Sequence, residues 1–149
     1  MKFNFKNKKV LITGSSKGIG YTIAKKFIEL SATVTINSHN ALNLSKAKNK
    51  INNSKLFSVK SDLTTDNNIK QMIKKSIDKM KGLDFLICNL GNGVSNKDIG
   101  SENYEDWMNS LKINLLSAIG TINHSKKYLK KSNSASIICI SSIAGLNSV

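Results

Sequence analysis

Residues 10–28 restrict what this chain can fold into more than any other stretch. Val10-Leu11-Ile12-Thr13 is a short apolar, β-branched run, and Gly14-Ser15-Ser16-Lys17-Gly18-Ile19-Gly20 is a turn with three glycines. From Tyr21 to Ile28 the apolar residues recur at helical spacing. Glycines let the backbone turn sharply and approach a bound group closely, while the amides and positive dipole end of the following helix face negative charge. A strand, a glycine turn and a helix in that order predict a βα unit that cradles phosphate, and so a nucleotide ligand.

The rest of the chain alternates in the same way. Residues 32–37 and 56–60 read as strands two and three, with a helix over 41–50 between them. Thr65 or Asp66 caps a third helix whose apolar face is Ile69, Met72, Ile73 and Ile77, and Gly82 is expected to close it as a left-handed cap. Phe85-Leu86-Ile87-Cys88 is continuously apolar, as a parallel strand covered on both faces requires. A long helical pattern runs from Tyr104 through Trp107, Met108, Leu111, Leu115, Ala118 and Ile119 to Ile122, interrupted by Asn114. A fifth strand, residues 136–140, ends at Ser141-Ser142. The alternation predicts an α/β fold, a doubly wound parallel sheet with ligands at the carboxyl ends of its strands.

The 149 residues fit one domain by length. The formal net charge of +14 raises the question of nucleic acid. The lysines, however, are spread over every predicted helix, arginine is absent, and only 6% of residues are aromatic, so a solvated lysine-coated surface is the expectation and no nucleic acid is expected as partner. Cys88 and Cys139 fall in predicted core strands and are expected to be buried thiols, with no disulfide framework and no metal site. No apolar run reaches the length of a membrane span, and the first residues lack the apolar stretch of a signal peptide, so a cytoplasmic protein without membrane contact is expected.

The octapeptide Thr13-Gly14-Ser15-Ser16-Lys17-Gly18-Ile19-Gly20 resembles the opening motif of the short-chain dehydrogenase/reductase family. The resemblance continues along the chain. Cys88-Asn89-Leu90-Gly91 is similar to the family's N-N-A-G strand-end motif, with Cys for the first Asn and Leu for Ala. Ile113-Asn114-Leu115 matches the helix asparagine that holds a water in the family's proton relay, and Ile140-Ser141-Ser142-Ile143-Ala144-Gly145 resembles the segment carrying the catalytic serine. The resemblance implies a Rossmann-type sheet, truncated after the fifth strand, and a single incomplete NAD(P)-binding domain over residues 1–149. It also implies hydride transfer between a nicotinamide and a carbonyl or alcohol substrate, with Asn114 and Ser142 as catalytic residues. Cofactor contacts are implied at Gly14, Ser16, Lys17, Gly18, Ile19 and Gly20, at Ser38 and His39, at Asp62 and Leu63, and at Asn89 and Gly91. Read singly, Asp62 is equally a turn residue, Asn89 and Gly91 loop formers, Asn114 a helix bend and Ser142 a strand end.

The second strand ends in Asn37-Ser38-His39-Asn40, without the carboxylate that would select NAD through the ribose 2′-hydroxyl. His39 stands where the resemblance places an arginine in NADP-binding members, and Lys17 matches a basic position that pairs with the same 2′-phosphate, so NADP(H) is favoured over NAD(H). The tyrosine and lysine of the family's Y-x-x-x-K motif do not occur after Ser142. Tyr21 with Lys25 has the spacing but belongs to the glycine-turn helix. Alone, the chain is therefore expected to be an inactive fragment that is marginally stable, with its fifth strand as an open edge. A homo-oligomer is expected only for a full-length form. The alternative is a non-catalytic dinucleotide-binding module or a subunit of a split protein.

Overall fold

A computed structural model describes residues 3–92 and 101–143. The element order is β1 (Lys9–Ile12), α1 (Gly18–Glu29), β2 (Thr33–Ser38), α2 (Ala41–Ile51), β3 (Leu56–Lys60), α3 (Asp66–Met80), β4 (Phe85–Cys88), α4 (Tyr104–Leu111), a π-helical turn (Lys112–Leu116), α5 (Ser117–Leu129) and β5 (Ser136–Cys139). The five strands form one sheet in the order β3-β2-β1-β4-β5, and every neighbouring pair is parallel. From β1 the chain moves outward through β2 to β3, then returns to place β4 and β5 on β1's other side. That reversal sits between β1 and β4, the position where a doubly wound sheet opens a crevice at its strand tips.

Side chains alternate between the two faces of a strand, so each strand feeds two cores. On one face Leu11, Leu86, Cys88 and Val59 pack with Ile69, Met72, Ile73 and Met80 of α3 and Leu129 of α5. On the other, Val10, Ile12, Val34, Ile36 and Ile87 pack with Ala24 of α1 and Leu44 and Ala47 of α2. The three rows of β1, Val10, Leu11 and Ile12, are fully buried. Burying each such side chain contributes roughly 1.5–3 kcal/mol, and this two-sided cover is why the strands read as continuous apolar runs.

The helix ends follow local chemistry. The Asn40 side chain accepts from the Asn43 amide at the start of α2, and Thr65 accepts from the Asn68 amide at the start of α3. Asn103 and Asp106 form a reciprocal capping box at α4. The expectation for Gly82 is corrected: the left-handed residue closing α3 is Lys81, at φ 60°, and Gly82 follows at φ 146°. There a Cβ would meet only the flexible end of the Lys9 side chain, so it is the backbone conformation that favours glycine at position 82.

The cysteine expectation is also corrected. Cys88 is buried but Cys139 is exposed, because all four residues of β5 lie open at the sheet's edge. Ile137 and Ile138 are 42% and 47% exposed, and Trp107, Leu111, Leu115 and Ile119 form an open apolar stripe along α4, the π turn and α5. Among the described residues, nothing packs over these groups.

Candidate functional site

The glycine turn stands at the carboxyl end of β1, beside the tip of β4. Gly14 and Gly18 both have φ +58°, a left-handed conformation that costs other L residues about 1–2 kcal/mol. The three glycines differ in what surrounds them. A Cβ on Gly14 would lie 2.8 Å from the Leu90 Cα, and one on Gly20 would lie 2.5 Å from the Asn89 Nδ2 and 2.9 Å from the Gly14 carbonyl oxygen. A Cβ on Gly18 would meet nothing within 4 Å. Two glycines therefore serve packing, and the third faces open space.

That open space lies at the head of α1. The first turn of a helix leaves its amides without intrahelical acceptors. Here no acidic side chain stands in the first turn, and Lys17 at the N-cap makes no side-chain capping bond. The positive end of α1 therefore has no acidic side chain in its own first turn to neutralise it. Lys17 is exposed, and Ile19 is 64% exposed although apolar. Ser16 is half-buried in the same turn.

Three strand tips are stitched to this turn by side chains. The Thr13 hydroxyl accepts hydrogen bonds from the Asn89 amide (3.0 Å) and the Leu90 amide (3.1 Å). In return the Asn89 carboxamide donates to the carbonyls of Thr13 (3.1 Å) and Gly14 (3.0 Å). On the other side the Ser15 hydroxyl donates to the Ile12 carbonyl and accepts from the Asn37 amide. The Asn37 carboxamide then donates to the carbonyls of Val59 and Ser61, tying β2 to β3. Thr13, Ser15 and Asn37 are buried. They are not among the functional candidates named from the sequence; their signal is a polar residue at or just beyond a strand end.

The remaining candidates sit at or just beyond strand ends. Ser38 ends β2, where its hydroxyl accepts from the Asn40 amide, and His39 follows it, exposed. Asp62 is exposed, and its carboxylate accepts from the Thr64 amide, so part of its capacity is spent on its own turn. Leu63 is buried in the α3 core, which leaves only its main chain for any ligand. Asn89 and Gly91 leave β4, and Gly91 is exposed.

Asn114 occupies the middle of the π turn. Its Oδ1 accepts from the Asn92 amide at 2.8 Å, and its Nδ2 donates to the Asn92 carbonyl (3.0 Å) and the Ser110 hydroxyl (3.2 Å). The carboxamide thus pairs with a backbone unit as a neighbouring strand would, and it pins the segment leaving β4. A Cβ on Gly91 would come within 3.2 Å of that Oδ1. π turns are inserted where a helix must change register locally, often beside functional groups. Ser142 lies just past β5, whose ladder to β4 continues through the bond from the Ile140 amide to the Cys88 carbonyl. The structure therefore brings the glycine turn, Ser38, His39, Asn89, Gly91 and, through Asn92, Asn114 to the carboxyl edge of the sheet, with Ser142 on the adjoining strand end.

Cys88 lies one residue before this edge. Burial pushes its thiol up to about 12, and the hydrogen-bonded Cys139 adds to the shift. Among the described residues no three His, Cys, Asp or Glu side chains gather as a metal site, and no helix is long and apolar enough to cross a membrane. A shallow groove of about 300 Å³ on α5, lined by Asn123, His124 and three lysines, shares no residue with the strand-tip site.

Residues 8–149 match the short chain dehydrogenase family model. The chain is 34% identical, over 95% of its length, to a Dehydrogenase/reductase SDR family protein 7-like of Dictyostelium discoideum, and covers 47% of that protein. It is 30% identical, over 94% of its length, to an uncharacterized oxidoreductase of Staphylococcus epidermidis, of which it covers 60%. A Pseudomonas aeruginosa RhlG/NADP active-site complex superposes with a TM-score of 0.91 at 24% identity, over 99% of this chain and 59% of that one. The chain belongs to the short-chain dehydrogenase/reductase family of oxidoreductases. It spans about half the length of the curated relatives it matches.

Proposed function

We propose that this chain is the cofactor-holding portion of an NADP(H)-dependent short-chain oxidoreductase acting on a carbonyl or alcohol substrate. The observation that carries the reading is the glycine turn at the tip of β1, where Gly18 has left-handed backbone with open space beside it and the head of α1 has no side-chain cap, next to the reversal of strand order between β1 and β4. Amides at a helix head suit a diphosphate, and a glycine without neighbours within 4 Å suits a ligand that approaches the backbone. The bound nicotinamide would supply the hydride chemistry.

The chain's own residues then have separable roles. Ser16, Gly18 and Ile19 face the diphosphate, while Gly14 and Gly20 hold the turn that presents them. Lys17, Ser38 and His39 meet the ribose, and the lysine's charge with no carboxylate opposing it favours a 2′-phosphate, as does the NADP in the RhlG complex. Asp62 and the Leu63 main chain border the adenine. Asn89 and Gly91 shape the wall beside the nicotinamide. Ser142 holds the substrate oxygen, where charge develops as the reaction proceeds. Asn114 fixes the wall at Asn92 and orders the water of a proton relay.

The test is a pair of titrations. Lys17→Ala should weaken NADPH binding roughly tenfold, the equivalent of ~1.4 kcal/mol for one charge-assisted contact, and leave NADH binding nearly unchanged. Equal losses for both cofactors would remove the NADP assignment, and no binding of either by the wild-type chain would remove the reading as a whole.

A further inference from the structure

Cys88 and Cys139 are direct partners in the register of β4 and β5, although 51 residues separate them in the chain. Paired residues on neighbouring parallel strands point to the same face, so the register sets the two thiols side by side. Neighbouring strands lie about 4.8 Å apart, which falls inside the Cα separation that a disulfide spans. Cys88 is buried in the α3 core, whereas Cys139 is exposed.

We propose that Cys88 and Cys139 form a reversible disulfide across β4 and β5, with Cys139 as the reagent-facing thiol and Cys88 as the resolving one. The site is a redox modification site one residue below Asn89, and it stands independently of the cofactor reading. In the first step the Cys139 thiolate attacks a low-molecular-weight disulfide, forming a mixed disulfide and expelling one thiolate. In the second, Cys88 gives up its proton and attacks the Cys139 sulfur, expelling the second thiolate. Two protein thiols are oxidised, one external disulfide is reduced to two thiols, and the released thiolates take up the protons.

The division of labour follows from access. An exposed thiol meets the reagent, and a buried partner held against it by the strand register completes the exchange without diffusing. The buried thiol's reluctance to ionise makes the second step the slower one. Side chains on in-register parallel strands run side by side rather than converging, so closure bends the edge strand slightly. Such strain makes the bond readily reduced. An edge with all four residues exposed is free to bend.

The experiment treats the 149-residue chain with glutathione disulfide at neutral pH, in buffer and in urea, and follows intact mass and peptide maps. The expected result in buffer is the loss of two hydrogens, a linked Cys88–Cys139 peptide pair and full reversal by reduced glutathione, with closure slower in urea. Cys88→Ala should instead hold a glutathionyl adduct at Cys139. Should that variant fail to fold, Cys88→Ser and the wild-type map decide the matter. A wild-type chain that stays unmodified, keeps the adduct without closing, forms only intermolecular links, or closes as fast in urea would overturn the proposal.

Discussion

Alanine at Gly18 and alanine at Gly20 separate holding the turn together from holding a ligand. At position 20 the new methyl would sit 2.5 Å from the Asn89 Nδ2 and 2.9 Å from the Gly14 oxygen and Ser15 Cα. The carboxamide is short and already engaged with the Thr13 and Gly14 carbonyls, so making room breaks those bonds at about 0.5–1.5 kcal/mol each. The backbone contacts add about 1–3 kcal/mol of overpacking, offset by up to ~1 kcal/mol of helix propensity. Gly20→Ala should therefore lose roughly 1–6 kcal/mol of stability. At position 18 the methyl meets no protein atom, and only the left-handed backbone is penalised, by about 1–2 kcal/mol. Its methyl instead occupies the space in front of the amides, so Gly18→Ala should bind NADPH at least ~10-fold more weakly while remaining the more stable of the two variants. Urea denaturation and NADPH titration on both variants provide the readout. Wild-type affinity in Gly18→Ala, or wild-type stability in Gly20→Ala, would refute the division of roles.

Further outcomes follow from the same geometry. Thr13→Val keeps the shape but leaves the Asn89 and Leu90 amides without their acceptor, so it should cost about 1–3 kcal/mol per orphaned amide in urea denaturation, and Thr13→Ser should recover most of it. Cys88 binds its proton more tightly in the folded chain than when unfolded, so its contribution to stability is full below the ordinary thiol value of 9.0 and is lost as pH rises toward about 12. Under reducing conditions the stability difference between wild type and Cys88→Ala should fall across that window by up to ~1.4 kcal/mol per pH unit, and parallel profiles would contradict the burial argument. Asn114→Ala should release the Asn92 backbone, seen as faster hydrogen exchange at the Asn92 amide with the exchange of β1 unchanged.

Much of the fold was legible because its causes are local. Continuous apolar runs such as Phe85 to Cys88 declare strands covered on both faces, and the periodicity of Ile69, Met72 and Ile73 declares the buried face of α3. The glycine turn was legible as a motif, yet the different duties of Gly14, Gly18 and Gly20 depend on Leu90 and Asn89, which arrive from β4. The π turn was legible only as a polar interruption at Asn114. Its register is set by a tertiary pairing with Asn92 that no propensity within Lys112–Leu116 encodes. The same holds for the clasp of Ser15 and Asn37, which joins tips distant in sequence. The exposure of Cys139 is not legible, because an apolar strand pattern reports the cover a strand is suited to, whereas exposure depends on what lies beside it.

The most direct test of the account is to add NADPH to the isotopically labelled chain and follow its backbone amides by NMR. The largest shifts are expected at residues 14–20, with smaller ones at His39 and Asp62. Unchanged signals across the glycine turn, or shifts confined to the lysine-lined groove at residues 123–130, would contradict it.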